Sequence, residues 1–249
     1  MSIGREFMKQ SQYARMPETD QAKGLPQPPL EKPAPPGAPL IDLPDPTAVA
    51  LAPVDFLNLL ARRETLRRYP PDPLSLAELA YLLWTTQGVK KIFPNSTRRT
   101  VPSAGARHAF ETFVLVNHVA GLEAGLYRYM ALDHQLARLE APADLAEQLM
   151  AASHDQKQII QSAVTLIWVA DAYRMTWRYG ERGYRYLHLD AGHVCQNLYL
   201  AAETIGCGVC AIAAFDDEQL NALLGLDGEQ EFVIYLGTVG RRGNTESDF

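Results

Sequence analysis

The sequence holds only three cysteines in 249 residues, an odd count that suits no internal disulfide framework. No run approaches the roughly eighteen apolar residues a membrane span requires. The opening "MSIGREFMKQ" has no apolar core of the kind a secretory signal carries. A surplus of positive charge is missing as well. The net charge of −6 argues against a nucleic-acid surface, because neutralising phosphates takes clustered lysine and arginine. These absences lead to the expectation of a reduced, cytoplasmic protein with no membrane and no nucleic-acid partner. Internal repeats are also lacking, and a chain of this length buries a sizeable core without staples.

Proline is what the chain has in excess, and it is unevenly spread. "LPQPPLEKPAPPGAPLIDLPDP" (25–46) contains nine of the seventeen prolines and is expected to be extended, within a proline-rich N-terminal arm over 1–50 that is either a disordered tail or laid over a surface. From residue 51 to 249 helix and strand signals alternate, which predicts one α+β domain. "VDFLNLLARR" has helical spacing. "SLAELAYLLWTTQG" places Ser75 and Glu78 in capping-box spacing and stops at Gly88. "FETFVLVN" (110–117), "GLYRYM" (125–130) and "QLARLE" (135–140) read as a β-meander. "PADLAEQLMAA" reads as a helix with Pro142 near its first turn. "AVTLIWVA" (163–170) has the composition of a central strand. A long apolar helix is expected over 189–206, followed by the strands "GVCAIAA" and "EFVIYLG" (231–237), with the helix "DDEQLNALLGL" between them.

The basic residues cluster although the whole is acidic, which favours a small phosphorylated ligand over a polymer. In "RRETLRRY", Arg63, Thr65 and Arg67 occupy alternate positions of a turn or strand after a helix, so their donors point the same way. Two guanidiniums and a hydroxyl match the oxygens of a phosphate monoester. The bland alternative is a solvated charged segment. Pro102, Ser103, Ala104 and Gly105 make a tight loop of small residues that lets backbone approach a flat ligand. Late in the chain, "YLGTVGRR" ends on Arg241 and Arg242, a second possible phosphate contact.

"GCGVC" (206–210) raises three readings: a dithiol, a metal site or plain packing. A dithiol centre wants its C-x-x-C at a helix N-terminus, where the thiol pKa falls, and this motif leads into a strand. For a metal, His193 and Cys195 face apart on a helix, whereas Asp190 and His193 stand one turn apart and also suit a cap and its neighbour. Buried packing is the expectation, with no metal site.

Taken in order, "RRETLRRY", "LLWTTQGV", "RTVPSAGARHAFETFVLV", "AGLEAGLYRY", "RYGERGYRYLHLDAGHVCQNLYLAAETIGCGVCAIAAFDD" and "YLGTVGRR" resemble the nitroreductase family of flavin enzymes, in its SagB/ThcOx-type dehydrogenase branch. The resemblance implies an α+β fold with a central mixed or antiparallel sheet flanked by helices, and a homodimer with FMN at the subunit interface. It assigns Arg63, Thr65 and Arg67 to the FMN phosphate and ribityl chain, with Arg241 or Arg242 closing from the C-terminal side. Pro102, Ser103, Ala104 and Gly105 would reach the flavin held mainly by the other subunit. Ala213 and Ala214 would offer backbone N–H groups toward the ring's N5 edge, and Ala214 stands where the family usually has glycine. Azoline-oxidising members carry a Lys-Tyr pair over the flavin; the matching place here reads Arg178-Tyr179, and arginine stays protonated and cannot serve as a base. Tyr179 keeps a proton donor, and Arg178 suits an anionic group of a substrate or nicotinamide. The expectation is therefore an FMN-dependent oxidoreductase that reduces a small nitroaromatic or quinone-like acceptor with NAD(P)H. The alternatives are an azoline dehydrogenase of peptide modification, or a flavin- or metal-binding protein without turnover.

Overall fold

The computed structural model describes residues 2–243, so the end of the expected 51–249 domain, residues 244–249, lies outside the described residues. Seven strands make one sheet in the spatial order Leu40–Asp42, Gln135–Leu139, Gly125–Met130, Phe110–Val116, Val164–Asp171, Glu231–Arg241 and Cys207–Ile212. Every junction in it is antiparallel. The expected choice between mixed and antiparallel thus resolves to antiparallel. A parallel strand pair forms where Leu74–Ser75 meets Val119–Ala120, outside this sheet.

The centre of the sheet follows from side-chain alternation. In Val164–Asp171 the residues Val164, Leu166, Trp168 and Ala170 enter one apolar core, while Ile167 and Val169 enter a second on the opposite face. A strand covered on both faces carries apolar residues at both parities, which is why this stretch reads as a continuous run. The first face is covered by Leu76–Gln87 and Gly183–Thr204, and the second by Leu145–Ala152 and Asp217–Leu223. Truncating one of the fully buried leucines on these helices, such as Leu198, would cost about 2–5 kcal/mol.

Several element ends differ from the sequence reading. The long helix begins at Gly183, six residues before the expected start, and ends at Thr204. Pro142 precedes its helix, which begins at Leu145; the Leu145 N–H donates to the Pro142 carbonyl at 3.1 Å. The last strand runs four residues past 237 to Arg241, because Val164–Asp171 pairs with it as far as Val239 and Cys207–Ile212 as far as Arg241. A helix over Ala172–Tyr179 and a hairpin of Val89–Phe93 with Ser96–Arg99 had no signal in the sequence reading. The capping box is as read: the Ser75 hydroxyl accepts from the Glu78 N–H at 3.2 Å, and the Glu78 carboxylate accepts from the Ser75 N–H at 2.7 Å.

Residues 2–50 lie along the body, from the helix Ile3–Gln10, whose C-cap Ser11 accepts from Arg185, to Leu40–Asp42. Leu40–Asp42 forms the sheet's edge strand against Gln135–Leu139. The Glu31 carboxylate accepts from the Ala131 and Leu132 N–H groups at 2.6 and 3.2 Å, and the Lys32 N–H donates to Glu111 at 3.0 Å. Among the described residues no helix is long and apolar enough to cross a membrane.

Candidate active site

The segment after helix Phe56–Arg62 lies beside the strand Cys207–Ile212. Thr65 bridges Val209 in parallel fashion, and the Leu66 N–H donates to the Val209 carbonyl at 2.9 Å. Gly208 permits that approach, because a Cβ there would stand 2.7 Å from Leu66 Cβ. Alternation then turns Arg63 and Thr65 to the same side. The Arg63 guanidinium lies 5.4 Å from the Tyr199 ring centroid, and the Thr65 hydroxyl is 3.2 Å from the Tyr199 hydroxyl. Tyr199 in turn accepts from the Ala211 N–H at 3.0 Å. Arg67 is exposed, and its charge lies close enough to Cys210 to favour the thiolate there, although burial dominates and raises that pKa. Among the described residues neither Arg63 nor Arg67 has a carboxylate within salt-bridge distance. Beyond the strand, Ala213 and Ala214 are exposed and their N–H groups find no acceptor among the described residues.

Arg241 and Arg242 do not extend this set. Arg241 grips both oxygens of Glu78 at 2.6 and 2.7 Å and donates to the Ile205 and Pro73 carbonyls at 3.2 Å each. That bidentate pair ties the last strand to the helix Leu76–Gln87 and leaves Arg241 little to offer a ligand. Arg242 pairs with Glu203 and, at 2.7 Å, with Glu64. The negative charge inside the basic segment is thereby answered within the chain, and Arg242 is occupied in answering it.

A second cluster forms around the 102–105 loop. Ser103 accepts from the His108 N–H at 2.9 Å, and the Ala104 N–H donates to both Asp190 oxygens at 3.3 Å. Burial holds the Asp190 carboxyl above its ordinary range. Gly105 has φ +57°, and a Cβ on it would stand 2.5 Å from the Tyr179 hydroxyl and 2.8 Å from Arg178 Nε. The loop and the Arg178-Tyr179 pair are therefore one surface. Tyr179 is held edge-on by Tyr186, with centroids 4.7 Å apart. Beneath the loop, Arg107 donates to the Gly105 carbonyl at 3.1 Å and to Asn95 at 3.0 Å, over the Trp177 ring. Burial first, and then the nearby Arg178 charge, lower the Arg107 pKa.

Asp190, Tyr199 and Tyr186 were missed as site residues. Asp190 lies seven residues inside its helix and is no cap, contrary to the reading that placed it near the helix start. An acid amid "LHLDAGHV" was the available signal. The thiols of GCGVC answer the motif's question. Strand alternation sends Cys207 into one core and Cys210 into the other, so the sheet separates them and they can share neither a disulfide nor an ion. Burial raises the Cys207 thiol to about 11 and the Cys195 thiol to about 12.

The nitroreductase family model matches residues 60–241. The chain belongs to the nitroreductase family. A Methanocaldococcus jannaschii protein with a provisional nitroreductase name is 35% identical over 202 residues, covering 81% of this chain and 96% of its own. The trifolitoxin-processing protein TfxB of Rhizobium leguminosarum bv. trifolii is 31% identical over 59% of this chain and 40% of its own. A solved Anabaena variabilis structure, also provisionally named a nitroreductase, superposes with a TM-score of 0.66 at 30% identity. That match covers 84% of this chain, which spans 42% of the Anabaena chain. As a nitroreductase-family member with this α+β fold, the protein is an oxidoreductase, of a family whose members typically bind flavin.

Proposed function

We propose that this nitroreductase-family chain is an FMN-dependent oxidoreductase, active as a homodimer, that reduces a small nitroaromatic or quinone-like acceptor with NAD(P)H. One observation carries the reading: the two clusters sit on opposite sides of the same helix. Asp190 anchors the 102–105 loop and Tyr199 anchors the Arg63–Thr65 side, nine positions apart in Gly183–Thr204. At 100° and 1.5 Å per residue they are half a revolution and about 13 Å apart. Two such surfaces are poorly placed to close on one flat ligand from within a single chain. A two-fold pairing brings one chain's first cluster to its partner's second.

The residues present fit FMN. Arg63 and Arg67 are cations without a carboxylate partner among the described residues, Thr65 supplies a hydroxyl, and Gly208 opens the backbone approach between them and the strand. These three side chains would hold the phosphate and ribityl chain, and the free N–H groups of Ala213 and Ala214 would face the ring. Bound there, FMN would supply the hydride chemistry. The protein would orient the acceptor between the 102–105 loop and Tyr179, whose hydroxyl holds a proton close to the loop. Arg178, permanently charged, would hold an anionic group and could not accept a proton.

Azoline oxidation in peptide modification is the second reading, favoured by the similarity to the trifolitoxin-processing protein and opposed by arginine at 178. Anaerobic titration with NAD(P)H separates the outcomes. Bleaching of the flavin band, followed by its return on adding a quinone, supports the proposal. A flavin that neither nicotinamide reduces would defeat it.

A further inference from the structure

Next to the Arg63–Arg67 segment runs a groove of about 400 Å³, of whose lining only Arg67 has a role in the flavin reading. Its lining includes Arg67, Arg68, Tyr69, His118, Lys157 and Gln161. Three separate stretches of chain thus bring cations or a titratable ring to one opening, and among the described residues no carboxylate lines it. Among the described residues Arg67, Arg68 and Lys157 all lack an acidic partner within salt-bridge distance. The floor is fixed: the Tyr69 hydroxyl donates to the Leu66 carbonyl at 2.6 Å and lies 2.8 Å from the Thr238 hydroxyl. Two neighbouring arginine stems are therefore rooted on a braced backbone.

We infer that this groove binds the 2′-phosphorylated adenosine end of NADPH, so that the donor is NADPH rather than NADH. Cations held close together without counter-charge favour a ligand carrying more than one negative charge, and arginine meets a phosphate with paired donors. The volume falls in the range of small-ligand sites. Arg67 belongs both to this groove and to the segment proposed to hold FMN, so the groove opens directly beside the flavin cradle. A ligand that reduces the flavin and carries a second phosphorylated end suits that adjacency. The inference rests on the flavin reading for its geometry, and Arg68, His118 and Lys157 are additional to the residues assigned there.

The test is calorimetric titration of the FMN-loaded protein with 2′,5′-ADP, 5′-AMP and inorganic phosphate. The expected result is 2′,5′-ADP binding about tenfold or more tighter than either other probe. The double variant Arg68→Ala, Lys157→Ala should lose that margin while keeping its flavin and its fold. Equal affinity for 2′,5′-ADP and 5′-AMP, binding of phosphate as tight as the nucleotide's, or a margin that survives in the variant would each overturn the inference. Release of FMN from the folded variant would reassign the groove to the flavin phosphate and overturn it too. These readouts need no turnover, so a failure of the redox reading shows separately, as a flavin that neither nicotinamide bleaches.

Discussion

A Cβ placed on Gly105 would stand 2.5 Å from the hydroxyl of Tyr179, so the loop and the tyrosine fit only while position 105 has no side chain. The same residue sits at φ +57°, a left-handed conformation that costs other residues roughly 1–2 kcal/mol. Gly105→Ala should therefore destabilise the loop and displace Tyr179, lowering turnover more than flavin content. Tyr179→Phe removes the hydroxyl that the new methyl would strike. The double variant Gly105→Ala, Tyr179→Phe should accordingly lose less than the two single losses combined, as read by thermal denaturation. Strict additivity would show that the contact carries no energy.

How legible this was depended on how local each cause is. The capping box of Ser75 and Glu78 was readable because both partners lie within one turn. The meander was readable because each strand pairs with its neighbour in sequence. Tyr199 was not, since what marks it is a contact with Thr65, 134 positions away. The start of the long helix was obscured by "GYRYLH", whose aromatic and charged residues break the apolar pattern while still burying Gly183 and Leu187. Arg241 was read as a phosphate contact because its partner, Glu78, lies 163 positions away in the sequence.

Arg67→Ala should lower FMN affinity by about 1.5–3 kcal/mol if the guanidinium makes a charge-assisted bond to the phosphate. Arg241→Ala should instead lower stability, because it strands the half-buried Glu78 carboxylate, whose pKa Arg241 and Ser75 together hold low against burial. Flavin titration and denaturation, run on both variants, distinguish the two roles. Equal flavin loss in both would return Arg241 to the binding set.

The Cys207→Ser, Cys210→Ser double variant should keep its flavin and its reduction by NAD(P)H. Each buried thiol is replaced by a hydroxyl in an apolar core, so a stability loss of about 1–3 kcal/mol is expected. Loss of activity in the folded variant would reinstate a chemical role for the motif.

His108 lies under the 102–105 loop, where burial first, and then the charge of Arg99, depress its pKa to about 3. The unfolded chain binds this proton near pH 6.5 and the folded chain does not, so stability should fall as pH drops from about 6.5 toward 3. Glu31 acts in the opposite sense: burial, then Glu111, raises its carboxyl to about 7. Its contribution is full below about pH 4.5 and is lost as pH rises through about 7. His108→Gln should flatten the acid side of the stability profile, and Glu31→Gln the neutral side. Urea denaturation between pH 4 and 8 reads both slopes, and profiles parallel to the parent's would refute the assignments.

The central claim is that one flavin site is built from two chains, and subunit mixing tests it most directly. One variant, Arg63→Ala with Arg67→Ala, spoils the first cluster; another, Gly105→Val, spoils the second. Each alone should be nearly inactive. Unfolded together and refolded, half of the dimers combine one chain of each kind, and such a dimer carries one intact site of two. Activity should then recover to roughly a quarter of the parent's. Recovery no greater than the sum of the separate variants, with mixed dimers shown to be present, would place each site within a single chain and contradict the account.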